Sequence, residues 1–313
     1  MSSMFANLAA RHLGLTQHDI SRIVRNAPQR YKVFTIPKRN GGLRLVEQPA
    51  RELKDLQYML MEVLLQNFPV HDAAKAYRPG TSIRNNAEVH ARSSAILKMD
   101  FVDFFHSVKA RDFHSHCATL GVKLSSEDKI FCQQVLFRRG KDGQLRLSIG
   151  APSSPMISNT IVFEMDRLIA ELCQRDGVSY SRYADDLTFS GNDTKALLSL
   201  RTQIPKLLAG LSYPKLYLNN EKTVLVSKKH RRSVTGIILT NDGSVSIGRD
   251  KKRKIRAAVH SYLQGKLQGD EVGILRGQLA YCKSVEPSYI ARLERKYGQL
   301  NIKSLMSGPI KKG

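Results

Sequence analysis

Apolar residues recur along this chain at two periods: alternate positions, which predict strands, and positions three or four apart, which predict helices. Helical spacing covers residues 1–30, where Thr16 is a candidate helix cap. Alternation over 31–36 and 43–46 flanks Asn40-Gly41-Gly42, a sequence typical of a hairpin turn. The chain is therefore predicted to begin with a helical extension followed by a β-hairpin.

The same two periods predict further helices and strands downstream. One helix should begin at Ser154-Pro155, since proline at the first helical position loses no backbone bond, and end before Gly177. The other predicted helices cover 51–67, 250–265, 270–283 and 287–297. Strands are predicted for 95–99, 178–183 and 187–190, and a later hairpin around Asn241-Asp242-Gly243.

A large excess of positive charge is the main feature of the composition. Among 313 residues there are 50 Lys and Arg against 27 Asp and Glu, a net charge of +23. This charge predicts a polyanionic partner bound with strong salt dependence, and nucleic acid is favoured. A membrane surface is the other explanation, but the sequence has no signal peptide, no long apolar run and no lipidation motif. We therefore expect a soluble, cytoplasmic protein without membrane contact.

The cysteines add little chemistry. Cys117, Cys132, Cys173 and Cys282 are scattered and form no Cys-x-x-Cys pair, which argues against a zinc module and suits reduced thiols in a cytosol. The segment His114-Ser115-His116-Cys117 is a possible ligand cluster, but its spacing is helical, so a surface helix is favoured.

Three aspartates carry the candidate chemistry. Asp185 and Asp186 lie at the tip between two predicted strands, where adjacent carboxylates repel each other unless divalent cations bind. An Asp-Asp pair alone is usually a solvated turn. Asp100 ends the apolar run 95–99, where an acidic side chain is costly unless it pairs or binds metal. Together the three could hold two Mg²⁺ ions about 4 Å apart, the geometry for displacement at phosphorus.

Six segments in order resemble reverse transcriptases, and among them the bacterial retron type. These segments are 36–45, 77–83, 100–105, 150–155, 183–186 and 219–223. Two further elements resemble retron signatures: Asn86-Ala87-Glu88-Val89-His90 matches Asn-Ala-x-x-His, and Val234-Thr235-Gly236 matches Val-Thr-Gly.

The resemblance implies an α+β fold shaped as a right-hand polymerase with fingers, palm and thumb. We expect an N-terminal helical extension and fingers over 1–97. The palm is expected over 98–236, with part of the fingers inserted near 109–147, and the thumb over 237–313.

The resemblance also assigns roles at the catalytic centre. Asp100, Asp185 and Asp186 are the expected catalytic residues and metal ligands, with the backbone carbonyl of Phe101 as a further metal contact. The expected cofactor is a pair of Mg²⁺ ions, for which Mn²⁺ is a possible substitute. The expected nucleotide-binding residues are Lys38, Arg44, Phe105, Gly150 and Lys222.

Each expected nucleotide-binding residue has an expected chemical role. Lys38 and Arg44 could reach a triphosphate, and Lys222 either neutralises or protonates the leaving pyrophosphate or is a solvated surface lysine. Phe105 would exclude a 2′-hydroxyl, unless it is a core side chain, and Gly150 would allow close approach to a base pair or sugar. Ile149 stands where many reverse transcriptases have Gln, which places any contact made by that Gln in doubt.

Three segments are expected to bind RNA. Asn86 and His90 would handle the structured RNA of the retron, although a capped helix with a surface histidine explains them as well. Val234, Thr235 and Gly236 either share that role or form an ordinary strand and turn. A basic helix, whose other side is apolar, either contacts RNA hairpins or is simply solvated. Its cations are Arg249, Lys251, Lys252, Arg253, Lys254 and Arg256.

The resemblance finally implies a specific reaction. The enzyme would copy its cognate retron noncoding RNA from dNTPs, priming from a guanosine 2′-hydroxyl and making multicopy single-stranded DNA joined to RNA. Such systems serve antiphage defence with an effector protein. Because the chain ends soon after the expected thumb, we expect host RNase H to act in trans. A group II intron type enzyme and a non-catalytic RNA-binding scaffold are the alternatives, and the three aspartates favour an enzyme.

Overall fold

A computed structural model describes residues 3–38 and 41–308, and within them the chain forms fourteen helices and eleven strands. The strands are β1 Tyr31–Pro37, β2 Leu43–Pro49, β3 Ala95–Asp100, β4 Arg138–Arg139, β5 Leu145–Arg146, β6 Ser179–Tyr183, β7 Asp186–Gly191, β8 Val224–Ser227, β9 Arg232–Val234, β10 Ile237–Leu239 and β11 Val245–Ser246. The helices are α1 Met4–Leu13, α2 Gln17–Asn26, α3 Arg51–Val63, α4 Ile83–Glu88, α5 Phe104–Ser107, α6 Ala110–Thr119, α7 Ser126–Leu136, α8 Ser154–Ile161, α9 Phe163–Arg175, α10 Thr194–Gly210, α11 Arg249–Leu263, α12 Asp270–Val285, α13 Pro287–Tyr297 and α14 Gln299–Ser307.

The central sheet has four antiparallel strands in the order β6-β7-β3-β8. Strand alternation divides its side chains between two faces. Leu97, Leu187 and Phe189 lie on one face, in the main hydrophobic core, where α9 and α10 pack against the strands. Asp100 and Asp186 are paired across β3 and β7 on the opposite face.

The N-terminal elements agree with their predictions. Thr16 caps α2 by accepting a hydrogen bond from the Asp19 amide, and α1 and α2 pack against α3 and α7. Strands β1 and β2 form the predicted antiparallel hairpin. Asn40, which was predicted to lie in its turn, is outside the described residues.

A second hydrophobic cluster joins the C-terminal helices to the central sheet. It contains Val234 and Leu239 from the three-stranded sheet β9-β10-β11, together with Val259 and Leu279 from α11 and α12. Helix α4 contributes Ala87 to the same cluster and contacts β6, β9, β10, β11 and α12. The short helix α4 therefore packs between the central sheet and the C-terminal elements.

Some predictions were wrong in detail. The single helix expected from Ser154 is two helices, because at Val162 the backbone amide bonds to Thr160 instead of continuing the helical ladder. Helix α14 was not predicted. The segment from His114 is helical as expected, but His116 is buried and bonds to Thr160. The domain boundaries stay a prediction.

The cysteines and the lengths of the helices bear on the predictions about zinc and membrane contact. All four cysteines lie there, free and buried. No helix of residues 3–38 or 41–308 is both long enough and apolar enough to cross a bilayer.

Candidate active site

The β6–β7 hairpin presents two carboxylates at its tip. Tyr183 pairs with Asp186, which leaves Ala184 and Asp185 as the turn, and Ala184 has a φ of +56°. The Phe101 amide donates to the Asp185 carbonyl at 3.3 Å. Since Asp100 and Asp186 are register partners, the fold brings all three predicted catalytic aspartates together.

These carboxylates crowd one another. Burial, and then the charge of Asp185, raise the pKa of Asp186 to about 6. Burial, and then the charge of Asp100, raise the pKa of Asp185. Lys222 provides a nearby cation, because its Nζ lies 2.5 Å from Asp100 Oδ2, and this bond raises the pKa of Lys222.

The donor set fits a hard divalent cation. The three side chains offer only carboxylate oxygens, the ligands that Mg²⁺ and Mn²⁺ prefer, and a cation would relieve their mutual repulsion. Across the described part of the chain, no three His, Cys, Asp or Glu side chains are already arranged to hold a metal ion. Lys222 is paired with one oxygen of Asp100, so a bound cation would compete with this ammonium for that oxygen.

The predicted nucleotide-binding residues lie on several elements. Arg44 is exposed on β2, and its positive charge acts to lower the pKa of Asp185, against the larger effects that raise it. Lys38 is exposed at the end of the same hairpin. Phe105 is half-buried and packs edge-on against the buried ring of Phe104, with centroids 5.6 Å apart. Their contacts with nucleotide stay predictions.

Gly150 is required by the protein itself. Its φ is +125°, and a Cβ there would lie 3.0 Å from Val46 Cγ1 and 3.1 Å from the Glu47 carbonyl oxygen. The Glu47 amide also donates to the carbonyl of Ile149 at 2.6 Å. This glycine therefore permits the close approach of β2, and its contact with a base pair or sugar stays a prediction.

A buried ionic cluster beside the site was not predicted. His106 Nε2 lies 2.9 Å from Glu47 Oε2 and its Nδ1 lies 2.7 Å from Asp103 Oδ1. Arg138 donates to the other oxygen of Glu47 at 2.7 Å. The hydrogen bond to Glu47 raises the pKa of His106, and the two contacts of the ring join β2 to α5, which carries Phe105. No spacing pattern in the sequence links Glu47 to His106.

His106→Gln is expected to destabilise the protein at about pH 6 and to have a much smaller effect at about pH 9. The bond to Glu47 is the main cause that raises the pKa of His106 above 6.5. Its stabilising charge is fully present below that unfolded value and is lost as pH rises through the folded pKa. Urea unfolding at both pH values measures the difference. The exposed His230→Gln is the control, and an equal loss at both pH values would contradict the expectation.

The structure contradicts the predicted surface positions of Asn86 and His90. Both are 0% exposed, and Ser82, not Asn86, caps α4. His90 Nε2 lies 2.7 Å from Ser181 Oγ, which donates to Asn86 Oδ1, and His90 Nδ1 lies 2.8 Å from Ser190 Oγ. Neither side chain can touch RNA directly in this fold. Their hydrogen bonds join α4 and the segment after it to both strands of the β6–β7 hairpin.

The other predicted RNA-binding segments are partly accessible. Val234 is buried, and Thr235 and Gly236 form the turn between β9 and β10 with φ of +48° and +81°. The Thr235 hydroxyl donates to the Ile83 carbonyl at 3.4 Å, so this turn lies against the first residue of α4, the helix that carries Asn86. The ordinary strand-and-turn explanation therefore describes the local structure, and RNA contact by Gly236 stays a prediction.

Helix α11 exposes most of its cations. The exposed ones are Arg249, Lys251, Arg253, Lys254 and Arg256. Lys252 is different, because its ammonium lies 2.6 Å from the buried Glu286 and over the Tyr289 ring. Contact between Lys252 and RNA would compete with this ion pair, and it stays a prediction. Its charge is already paired inside the C-terminal bundle.

Known proteins resemble this chain in sequence. The family model described as reverse transcriptase (RNA-dependent DNA polymerase) matches residues 36–239. The retron Ec83 reverse transcriptase of Escherichia coli is 40% identical over 88% of this chain and 89% of that protein. The retron Ec86 reverse transcriptase of Escherichia coli is 32% identical over 92% of this chain and 94% of that protein.

This chain also resembles solved structures at lower sequence identity. A telomerase from Candida albicans, determined with a telomeric RNA fragment, has a TM-score of 0.48 and 12% identity over 89% of this chain and 61% of that one. A similarity of this size supports no argument by itself. We base the family assignment on the sequence matches and on the paired aspartates. The chain belongs to the reverse transcriptase family, as an RNA-directed DNA polymerase of the retron type with the α+β right-hand polymerase fold.

Proposed function

We propose that this enzyme copies a cognate structured noncoding RNA, priming from a guanosine 2′-hydroxyl to make multicopy single-stranded DNA joined to RNA. The observation that carries the catalytic part is the pairing of Asp100 with Asp186 beside Asp185. The similarity to retron reverse transcriptases supports the choice of RNA. The proposal includes a cytoplasmic location, a role in antiphage defence, an effector protein and an RNase H acting in trans.

The side chains around the turn have distinct roles in this proposal. Asp100, Asp185 and Asp186, with the Phe101 carbonyl, would hold two Mg²⁺ ions, or Mn²⁺ in their place. When bound, such ions lower the pKa of the attacking hydroxyl and neutralise the triphosphate. Lys222, already at Asp100, would shift toward the leaving pyrophosphate.

The cations on the hairpin would act before chemistry. Arg44, whose charge acts on Asp185, and Lys38 would bind the triphosphate from the fingers side. Gly150 and Ile149, held against β2, would shape the floor of the nucleotide site.

Phe105→Ala is expected to leave DNA synthesis largely intact and to raise ribonucleotide incorporation about tenfold or more, because the ring would no longer clash with a 2′-hydroxyl. Single-nucleotide extension with dNTP and rNTP measures the ratio. Phe104→Leu is the matched control, since that ring lies in the core and its loss should affect stability alone. Unchanged sugar discrimination in Phe105→Ala would remove the residue from this role.

The exposed cations of α11 are the best candidates for contact with the RNA. They lie on the solvent side of a helix whose Ile255 and Val259 are buried, so the helix can meet a phosphate backbone without unfolding. Phosphate contacts position a nucleic acid but do not perform the displacement. Their loss should therefore affect recognition more than chemistry.

Lys254→Glu with Arg256→Glu is expected to reduce initiation on the cognate RNA roughly tenfold or more while extension of an annealed DNA primer on a generic template survives. The salt dependence of RNA binding should also become shallower, by roughly two in logarithmic slope, since fewer counterions are released. Sequencing the copurified nucleic acid identifies the RNA, and initiation and extension assays follow.

The control is Arg201→Glu with Lys206→Glu, which reverses the same number of exposed charges on α10. Equal losses of initiation in both double variants would show a general effect of charge. A parallel loss of generic extension would show a general role in template binding. Either result would contradict a dedicated RNA-recognition role for α11.

A further inference from the structure

Arg182 is a fully buried cation directly behind the catalytic turn. It is 0% exposed and lies on β6, on the sheet face opposite Asp186. Its Nη2 and Nε donate to Asp166 of α9, at 2.7 Å to Oδ2 and 3.0 Å to Oδ1. The pair is completely removed from solvent on both sides, since Asp166 is also 0% exposed.

The third nitrogen of the guanidinium reaches the turn itself. Arg182 Nη1 donates to the Ala184 carbonyl oxygen at 3.0 Å and to Asn159 Oδ1 at 3.1 Å. The carbonyl of Ala184 belongs to the peptide group that joins it to Asp185. The Arg182 side chain therefore bonds to the backbone immediately before the two predicted metal ligands, Asp185 and Asp186.

This peptide needs support. Ala184 has a φ of +56°, a left-handed conformation that a residue with a Cβ adopts only when its surroundings impose it. The turn has just two residues, so any change at Ala184 moves the neighbouring Asp185. The hydrogen bond from Arg182 opposes relaxation toward an ordinary conformation.

Three other elements hold Arg182 in place, two through its guanidinium and one through its backbone. Asp166 also accepts a hydrogen bond from the Tyr180 hydroxyl at 2.7 Å, and Asn159 of α8 donates to the Ala76 carbonyl at 2.8 Å. The backbone of Arg182 exchanges hydrogen bonds with the segment 73–75. Through Arg182, these contacts fix the position of the turn relative to α8, to α9 and to the segment before Tyr77.

We propose that Arg182 is a positioning residue for the catalytic carboxylates: its guanidinium, anchored on Asp166 and Asn159, fixes the Ala184–Asp185 peptide. A buried ion pair adds little net stability over apolar residues of the same size, so stability alone does not account for a charge at this place. The inference rests on the proposed role of Asp185 and Asp186.

Arg182→Lys tests the proposal with the charge retained. A single ammonium can pair with Asp166 but cannot replace the planar fork that also reaches Asn159 and Ala184. We expect kcat for extension of an annealed primer to fall roughly ten- to a hundredfold, with the KM for dNTP nearly unchanged. Mn²⁺ binding to the purified enzyme, followed by electron paramagnetic resonance, should weaken in parallel.

The matched control is Arg232→Lys. Arg232 is also buried, at 1% exposed, and also donates to backbone carbonyls, those of Ser93 and Thr240, away from the turn. Arg232→Lys should lower the urea midpoint of unfolding but should not reduce kcat or weaken Mn²⁺ binding as Arg182→Lys does. If both variants lose kcat only in proportion to their loss of folded protein, Arg182 is merely structural and the proposal is overturned.

A second variant guards against misfolding. Arg182→Met with Asp166→Asn removes both charges and leaves an acceptor for Tyr180, so folding should survive while kcat and Mn²⁺ binding stay low. Normal kcat and Mn²⁺ binding in this folded variant, or in Arg182→Lys, would overturn the proposal. Failure of the underlying assignment is separable: it would appear as full activity of Asp186→Asn, whatever Arg182 does.

Discussion

Asp186→Asn is expected to reduce DNA synthesis by about a thousandfold or more while the protein stays folded. The substitution keeps the size of the side chain but replaces an anionic metal ligand with a neutral amide. Its partner across the sheet, Asp100, would remain bonded to Lys222, so the surrounding structure has no reason to collapse. Primer extension with the purified variant measures the loss.

The same substitution should stabilise the metal-free protein at neutral pH. The raised pKa of Asp186, about 6 against an ordinary 3.8, means that the folded state holds the proton more tightly than the unfolded state. That stability is present below 3.8 and is lost as pH rises through about 6. Without divalent metal at neutral pH, the variant should therefore gain roughly 2 kcal/mol in the free energy of unfolding.

Urea unfolding in EDTA at acidic and neutral pH checks this second part. Asp193→Asn is the matched control, because Asp193 is exposed at the N-cap of α10 and its amide analogue can still accept the capping bond. Near-normal extension by Asp186→Asn would remove Asp186 from the metal site. A lower stability than the wild type at neutral pH without metal would contradict the electrostatic account.

His90→Ala is expected to cost roughly 2–4 kcal/mol in the free energy of unfolding, since it leaves a cavity and removes the buried hydrogen bonds that His90 makes with Ser181 and Ser190. Initiation on the cognate RNA and extension on a generic template should fall together, in proportion to the loss of folded protein. Burial lowers the pKa of His90 to about 3, so this side chain carries no charge with which to bind phosphate.

The hydrogen bonds around His90 define one neutral form of the ring. Ser181 donates its proton to Asn86, so it accepts from the His90 Nε2–H, and Nδ1 accepts from Ser190. The control is His230→Ala, which alters an exposed histidine. Selective loss of initiation in His90→Ala, with unchanged stability, would restore the RNA-handling role that the family resemblance implied.

Local patterns were sufficient to place the three predicted catalytic aspartates on the correct elements. Alternation of apolar residues and the Ala184-Asp185-Asp186 tip indicated the β6–β7 hairpin, and the apolar run before Asp100 indicated β3. Thr16 as a cap and the helical spacing of the C-terminal segments were equally local signals, because caps and periodicity report the backbone within a few residues. Net charge likewise depends on composition alone.

Only the tertiary structure decided which polar groups are buried and what they bond. Whether His90 faces RNA or Ser181, whether Lys252 faces solvent or Glu286, and whether Gly150 accommodates a base or β2 depend on elements distant in sequence. Arg182 gave no signal beyond a cation in a predicted strand. The physical reason is that burial and hydrogen-bond partners arise from packing between elements, whereas residue spacing records only which face of an element a side chain occupies.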